Sequence, residues 1–190
     1  MGKLLDKAIV FATKAHEGQL RKGTDIPYIL HPLEAASIVA TMTTDDEILA
    51  GAVLHDVVED TNTTIEQICD LFGERVAEFV DFESEDKRKD LPASITWKIR
   101  KHENIRRLRN APVDALMITL GDELSNVRAI KRDFDALGDE IWQRFSQKDK
   151  KEHYWYYKLL LLRLSQLEEH QAYKELFELL TDIFERNKQS

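Results

Sequence analysis

Apolar residues recur along most of the chain at the three- and four-residue spacing of amphipathic helices. This pattern predicts helices over 3–17, 32–43, 74–83, 94–109 and 112–135. Two more are expected, one starting at Thr44 or Asp45 and running into residues 54–61, and one ending at Phe72 and Gly73. A short helix with Trp142 and Phe145 and a helical segment over 149–187, breaking near His170, complete an all-α protein, with the late aromatics expected in the core.

Breaker residues and charge runs predict the connections. Residues 18–31 hold two glycines, Asp25 and Pro27, which indicates a loop, and residues 83–92 form a charged loop. Pro32 suits the first turn of a helix, which would leave His31 just outside it. A histidine at a helix end can reach a metal ion.

The stretch 54–61 (LHDVVEDT) concentrates one imidazole and three carboxylates between apolar residues. In a continuous helix, His55, Asp56, Glu59 and Asp60 would share one side. Crowded carboxylates repel one another and are costly to bury, and a divalent cation would remove both penalties. The alternative is a solvated acidic helix end, but the surrounding alanines, valines and leucine favour a buried helix.

Composition narrows the class of protein. With 190 residues, 43% apolar and 33% charged, the chain is expected to form a single globular domain over 1–190. The net charge of −8 argues against a nucleic-acid partner. No signal peptide or membrane span is evident. Cys69, the single cysteine, is expected to be a buried thiol in a reducing cytoplasm.

The candidate metal ligands come from three separate segments. His31 precedes a helix, His55 and Asp56 belong to the 54–61 stretch, and Asp122 follows a buried-looking run, where a lone carboxylate would be costly. This nitrogen and oxygen set suits Mn²⁺, Fe²⁺ or Zn²⁺ and differs from a thiolate zinc site. Glu59 and Asp60, one turn on, are placed to position water or take its proton.

Three basic residues could meet an anionic ligand. Arg21 and Lys22 are adjacent on the first loop and are either a solvated pair or a phosphate clamp. Lys87, in the charged loop, either belongs to a solvated linker or overhangs a ligand. Asn126 shares a helix face with Asp122 because the two are four residues apart.

These segments together resemble the HD-domain phosphohydrolases, and in particular the (p)ppGpp hydrolase domain of RelA/SpoT homologues and their small stand-alone relatives. The matching runs follow the family's order over residues 8–131, and the most specific part extends from His31 to Thr61. They are AHEGQ with Arg21 and Lys22, PYILHP, LHDVVEDT, Phe72-Gly73, SEDK, Trp97 to Lys101, and Gly121 to Asn126.

The resemblance implies a helical HD domain, with a family-like core over about 3–135 and a C-terminal helical extension over about 138–187. It also implies a role for each site residue. One metal ion, usually Mn²⁺, would be held by His31, His55, Asp56 and Asp122, while Glu59 and Asp60 position the attacking water. Arg21 and Lys22 would line the nucleotide site, and Asn126 would contact the nucleoside. The implied reaction removes pyrophosphate from the ribose 3′ position of ppGpp. A synthetase segment is not expected within these 190 residues. The oligomeric state stays open.

Four positions depart from the family pattern. Thr119 stands where Lys is frequent and Glu123 where Lys or Arg is frequent, so two cations are absent from the sequence near Asp122. Ser84 replaces Thr and Gly121 replaces Ala. The alternatives are therefore the same chemistry on another phosphorylated nucleotide, such as NADPH at its 2′ phosphate, or a nucleotide-binding regulator without catalysis.

Overall fold

A computed structural model describes residues 3–88 and 90–185, and these residues are mainly α-helical. Within these ranges no strand forms, apart from an isolated antiparallel bridge between Leu20 and Pro27. The all-α prediction is confirmed. The helices are α1 Lys3–Ala15, α2 Leu30–Val39, α3 Asp46–Leu54, α4 Val57–Asp60, α5 Ile65–Phe72, α6 Glu74–Glu83, α7 Ala93–Arg107, α8 Val113–Leu137, α9 Lys150–Arg163 and α10 Gln171–Phe184, with 3₁₀ turns at Leu108–Asn110, Gly138–Arg144 and Leu164–Leu167.

The chain forms two compact units. The first comprises Met1–Ser84 and Asp114–Ser125, and the second comprises Glu85–Val113 and Asn126–Ser190. The long helix α8 therefore contributes its first half to one unit and its second half to the other. The expectation of a single domain over 1–190 stays a prediction.

Helix α3 lies at the centre of the first unit and packs against α1, α2 and α6. Its residues from Ala50 to Leu54 are all buried, so the expected burial of this apolar segment is confirmed. Asp45 caps its N-terminus by accepting hydrogen bonds from the backbone of Glu47 and Ile48. This buried helix delivers His55 to the interior.

Polar contacts hold α8 in the first unit. Arg75 on α6 donates to Asp45, Glu47 and Asp114, which joins the starts of α3 and α8. Because its side chain is a third exposed, each pair contributes about 1 kcal/mol or less. Deeper inside, the Thr119 hydroxyl donates to Glu83 at 2.6 Å.

Gly121 allows a close approach between α2 and α8. A Cβ atom added there would lie 2.6 Å from a methyl of Val39 and 2.7 Å from the carbonyl oxygen of Ala35. The glycine that departs from the family pattern thus has a packing reason. It lies one residue before Asp122 on α8, where that helix contacts α2, the helix that carries His31.

Aromatic rings fill the second unit, where α7, α9 and α10 pack together. Trp142 stacks on Phe184 with 5.5 Å between centroids, and His153 lies 4.9 Å from Trp142 and 5.2 Å from Trp97. The expected packing role of the late aromatics is confirmed for Tyr156 and Tyr157, which are buried. No helix in the described part of the chain has the length and apolarity needed to cross a bilayer.

Several local predictions were wrong. Helix α2 begins at Leu30, so His31 lies inside its first turn rather than before it. Cys69 is only half-buried at the edge of the core.

The long late segment divides into α9, a 3₁₀ turn and α10. The predicted break near His170 is therefore confirmed, since this residue precedes α10. Residues 186–187 of that predicted helix and Lys89 of the predicted loop lie outside the described residues.

Candidate metal centre

A tight turn positions the first candidate ligand. Gly18 and Gly23 adopt positive φ angles of 76° and 74°, which a side chain would disfavour. The backbone N–H of Tyr28 donates to the carbonyl of Gln19 at 2.9 Å, which closes the turn that contains Gly23. The His31 backbone N–H in turn donates to the Tyr28 carbonyl at 2.9 Å, so the turn leads directly into the first turn of α2.

The stretch 54–61 is not one continuous helix, contrary to the sequence prediction. Helix α3 ends at Leu54, His55 and Asp56 form a turn, and α4 starts at Val57. The reason is local: His55 Nδ1 donates to the carbonyl oxygen of Ala52 at 2.8 Å. That oxygen would accept from the backbone of Asp56 in a continued helix, so the imidazole competes with the helical hydrogen bond.

The four predicted ligands lie together despite that break. His31 Nε2 is 3.0 Å from Asp122 Oδ1 and 3.4 Å from Asp56 Oδ2. His55 Nε2 is 3.0 Å from Asp56 Oδ2 and 3.5 Å from Asp122 Oδ1. The ligand atoms of His31, His55 and Asp122 all lie within 4.8 Å of one another. Two nitrogens and two carboxylate oxygens thus converge on one point.

Burial and charge shape this cluster. The histidine side chains are almost fully buried, whereas those of Asp56 and Asp122 are 18% and 19% exposed, so the cluster meets solvent on its carboxylate side. Burial lowers the pKa of both histidines, but the two carboxylates outweigh it and raise that pKa overall. Burial likewise raises the pKa of Asp56 and Asp122, and the histidines reverse this and hold it well below the usual range.

The donor set fits a divalent cation. His55 Nε2 is buried and accepts or donates no hydrogen bond of suitable geometry, although two carboxylate oxygens are close. Because Nδ1 carries the proton that it donates to Ala52, a cation that displaces the Nε2 proton would meet the lone pair of a neutral ring. A buried ring nitrogen beside two carboxylates is an arrangement that a divalent cation would satisfy.

Tyr28 connects this cluster to a predicted catalytic residue. Its hydroxyl lies 2.6 Å from Asp56 Oδ2 and 2.8 Å from Asp60 Oδ2. Burial, followed by the negative charges of the two aspartates, raises the pKa of Tyr28, so the phenol keeps its proton at neutral pH. A hydroxyl has one hydrogen, so it donates to only one carboxylate at a time.

The remaining predicted residues occupy different surroundings. Glu59 is half-buried on α4 beside Asp60. The guanidinium of Arg21 lies over the Tyr28 ring at 5.6 Å, and Lys22 is exposed on the same turn. Lys87 and Asn126 are half-buried and belong to the second unit, so their substrate-binding roles stay predictions.

Three contributors were not assigned from sequence. Tyr28 lies in the matched PYILHP run without a predicted role. The hydroxyl oxygen of Ser125 lies 2.9 Å from His31 Nδ1, and this hydroxyl donates to Glu34 Oε2 at 2.8 Å. The available signal was spacing, because Glu34 and Ser125 each follow a predicted ligand by three residues and so share its helix face.

Comparison with known proteins agrees with this geometry. The family described as the HD domain matches residues 8–150. The chain belongs to the HD-domain family. The resemblance inferred from the motifs is therefore confirmed, and a divalent metal is the expected cofactor of this family's hydrolases.

The HD-domain chain is also similar to curated proteins whose names refer to the synthesis or hydrolysis of guanosine polyphosphates. It is 32% identical over 148 residues to a GTP pyrophosphokinase of Myxococcus xanthus, covering 76% of this chain and 19% of the relative. It is 37% identical over 129 residues to the guanosine-3′,5′-bis(diphosphate) 3′-pyrophosphohydrolase of Aquifex aeolicus, covering 66% and 18%. The bifunctional (p)ppGpp synthase/hydrolase SpoT of Escherichia coli is 40% identical over 132 residues, covering 67% and 18%. The chain thus spans about a fifth of these relatives.

Two solved structures share the fold along most of their length. A metazoan orthologue of SpoT, described as hydrolysing ppGpp, has a TM-score of 0.76 and 25% identity, with 95% of both chains covered. The protein lmo0812 of Listeria monocytogenes has a TM-score of 0.71 and 26% identity, covering 81% of this chain and 98% of its own. The predicted HD-domain fold is confirmed.

Proposed function

We propose that this protein is a metal-dependent phosphohydrolase that removes the 3′ pyrophosphate from (p)ppGpp, leaving GDP or GTP. The observation that carries the proposal is the convergence of His31, His55, Asp56 and Asp122 on one point, in a chain related to ppGpp hydrolases. A bare His-Asp pair would support only metal binding. The adjacent carboxylates of α4 add the means to handle water.

The four ligands would hold one divalent cation, with Mn²⁺ proposed and Fe²⁺ or Zn²⁺ as alternatives. Such a cation supplies positive charge that acidifies water and offsets the charge of the phosphate groups. The buried imidazoles would bind it through Nε2, and the part-exposed carboxylates would leave its solvent side accessible. The nitrogen and oxygen donors suit all three metals.

Glu59 and Asp60 are proposed to orient the water and take its proton as its oxygen bonds to phosphorus. The bond from phosphorus to the ribose 3′ oxygen breaks, and that oxygen leaves with a proton. The Tyr28 hydroxyl, 2.8 Å from Asp60 Oδ2, would hold this carboxylate in place while its second oxygen faces the water. Arg21 and Lys22 would neutralise the pyrophosphate.

A different phosphorylated nucleotide is the second candidate substrate. Thr119 is buried and donates to Glu83, and Glu123 is buried too, at positions where the family frequently has cations. The first unit therefore holds less positive charge along α8 than a typical ppGpp hydrolase. NADPH, attacked at its 2′ phosphate, is the example to test. A cytoplasmic location and the absence of a nucleic-acid or membrane partner also stay predictions.

Turnover measurements on the purified protein loaded with Mn²⁺ test the proposal. The panel should hold ppGpp, pppGpp, NADPH and simple nucleotides, with release of pyrophosphate and of phosphate followed separately. We expect pyrophosphate and GDP from ppGpp in equal amounts. Phosphate release from NADPH alone would favour the second candidate, and binding of ppGpp without turnover would indicate a regulator.

A further inference from the structure

His31 and His55 have their ring protons held in different ways. His55 Nδ1 donates to a backbone carbonyl, which any residue at position 52 would supply. His31 Nδ1 instead lies 2.9 Å from the hydroxyl of Ser125, a side chain on another helix. A hydroxyl both donates and accepts, so this contact alone leaves the tautomer of His31 open.

Glu34 resolves that ambiguity. The Ser125 hydroxyl lies 2.8 Å from Glu34 Oε2, and an ionised carboxylate can only accept. The single hydroxyl hydrogen of Ser125 is therefore committed to Glu34, and its oxygen must accept from His31. The proton of the neutral ring is thereby placed on Nδ1, which leaves Nε2 to bind a cation held between Asp56 and Asp122.

We propose that Glu34 and Ser125 are positioning residues that act through His31, holding its ring in the tautomer and orientation needed to bind the metal. The inference rests on the proposed metal-dependent function. Its elements are fixed by packing: Ser125 is 2% exposed, and Gly121, one turn earlier on α8, lets α2 approach closely enough for the contact. Hydrogen bonds to a metal-bound histidine typically change metal affinity 10- to 100-fold.

The test compares Mn²⁺ dissociation constants, measured by calorimetry on metal-stripped protein. Ser125→Ala should weaken binding about 10- to 100-fold. Glu34→Ala, at a residue outside the proposed ligand set, should also weaken it, because the freed Ser125 hydroxyl can then donate to His31 Nδ1 and favour the wrong tautomer. Glu34→Gln retains an acceptor oxygen and should rescue most of the affinity. Ser37→Ala is the matched control, since Ser37 is exposed on α2 and bonds only its own helix.

A role in helix packing alone would give a different result. It would lower the melting temperature of the metal-free Ser125→Ala and Glu34→Ala variants and leave the dissociation constants of the folded proteins unchanged. A second readout is the His31 Nδ1 proton in Zn²⁺-loaded, ¹⁵N-labelled protein. It should exchange slowly with solvent in the parent and rapidly in Ser125→Ala.

The outcomes separate the two proposals. Mn²⁺ affinities that match the parent in both alanine variants would overturn the positioning role, whatever the enzyme hydrolyses. Tight, Ser125-dependent Mn²⁺ binding with no turnover of any nucleotide would overturn the proposed reaction and leave the positioning role standing. A parent protein that binds none of the three metals would remove both.

Discussion

The two units each bury histidine, and they do so in opposite electrostatic surroundings. In the first unit, His31 and His55 face the carboxylates of Asp56 and Asp122, and the pKa of both is raised. In the second unit, His153 lies among Trp97, Trp142 and Phe145, and its Nε2 donates to the carbonyl of Gln147. Its pKa is lowered because burial dominates.

The difference shows why burial alone does not identify a functional histidine. Burial lowers the pKa of all three rings, and only the carboxylates in the first unit reverse that effect. A carbonyl oxygen can satisfy His153 Nε2, because carbonyl groups accept and the ring donates. His55 Nε2 has no such partner and faces anions, which is the arrangement of a ligand. The first environment suits a cation, and the second suits packing.

Asp56→Ala should give the largest loss of metal binding and activity, and it tests most directly whether the first environment binds a cation. It removes the oxygen closest to His55 Nε2, so Mn²⁺ binding should fall below detection in calorimetry and nucleotide hydrolysis should be lost. His153→Gln is the control, because it changes a buried histidine of the other kind. It should keep the parent's Mn²⁺ affinity. Full turnover by the Asp56 variant would show that the site is assigned wrongly.

Glu59→Gln combined with Asp60→Asn should separate catalysis from metal binding. Both changes keep the size of the side chains and remove their basicity, so kcat should drop about 10²- to 10⁴-fold. The Mn²⁺ dissociation constant should stay within a few-fold, since neither residue belongs to the proposed ligand set. Glu66→Gln, an exposed change on α5, serves as control. An unchanged kcat in the double variant would remove both residues from the mechanism.

Gly121→Ala should damage the first unit by overpacking. Its new methyl group would press on the Ala35 carbonyl, so we expect a loss of about 1–3 kcal/mol in the free energy of unfolding and weaker Mn²⁺ binding as α2 and α8 separate. Thermal unfolding and calorimetry measure the two effects. Gly51→Ala is the matched change in α3, where the added Cβ meets only side-chain atoms, at 3.0–3.1 Å, and should cost less. Equal losses in both variants would argue against a special role for the close approach at Gly121.

Sequence patterns predicted most of the helices, because helix formation depends largely on local signals. Apolar spacing and the capping residues Asp45 and Thr64 set most helix positions. Matching motifs brought His31, His55, Asp56 and Asp122 together. The break at His55 could not be predicted, because it depends on a ring that bonds the backbone three residues earlier. The bond between Ser125 and His31 joins residues 94 apart, so helical spacing marked the faces without showing that they meet.

The smallest expected effect concerns His153 and the pH dependence of stability. Because burial holds its pKa below the usual value of about 6.5, the unfolded chain binds its proton more readily than the folded protein does. The free energy of unfolding should therefore fall as pH drops below that value, until the folded-state pKa is reached. Lys101 opposes protonation while Asp149 and Glu152 favour it, so the surrounding charges only partly modify the effect of burial.

Melting temperatures measured between pH 7.5 and 5.5 test this expectation. They should decline less steeply in His153→Gln than in the parent. The titrating groups of the first unit are the same in both proteins, so their contribution cancels in the comparison. Parallel curves would mean that His153 binds its proton equally well in the folded and the unfolded protein. The contrast between the two histidine environments would then rest on His31 and His55 alone.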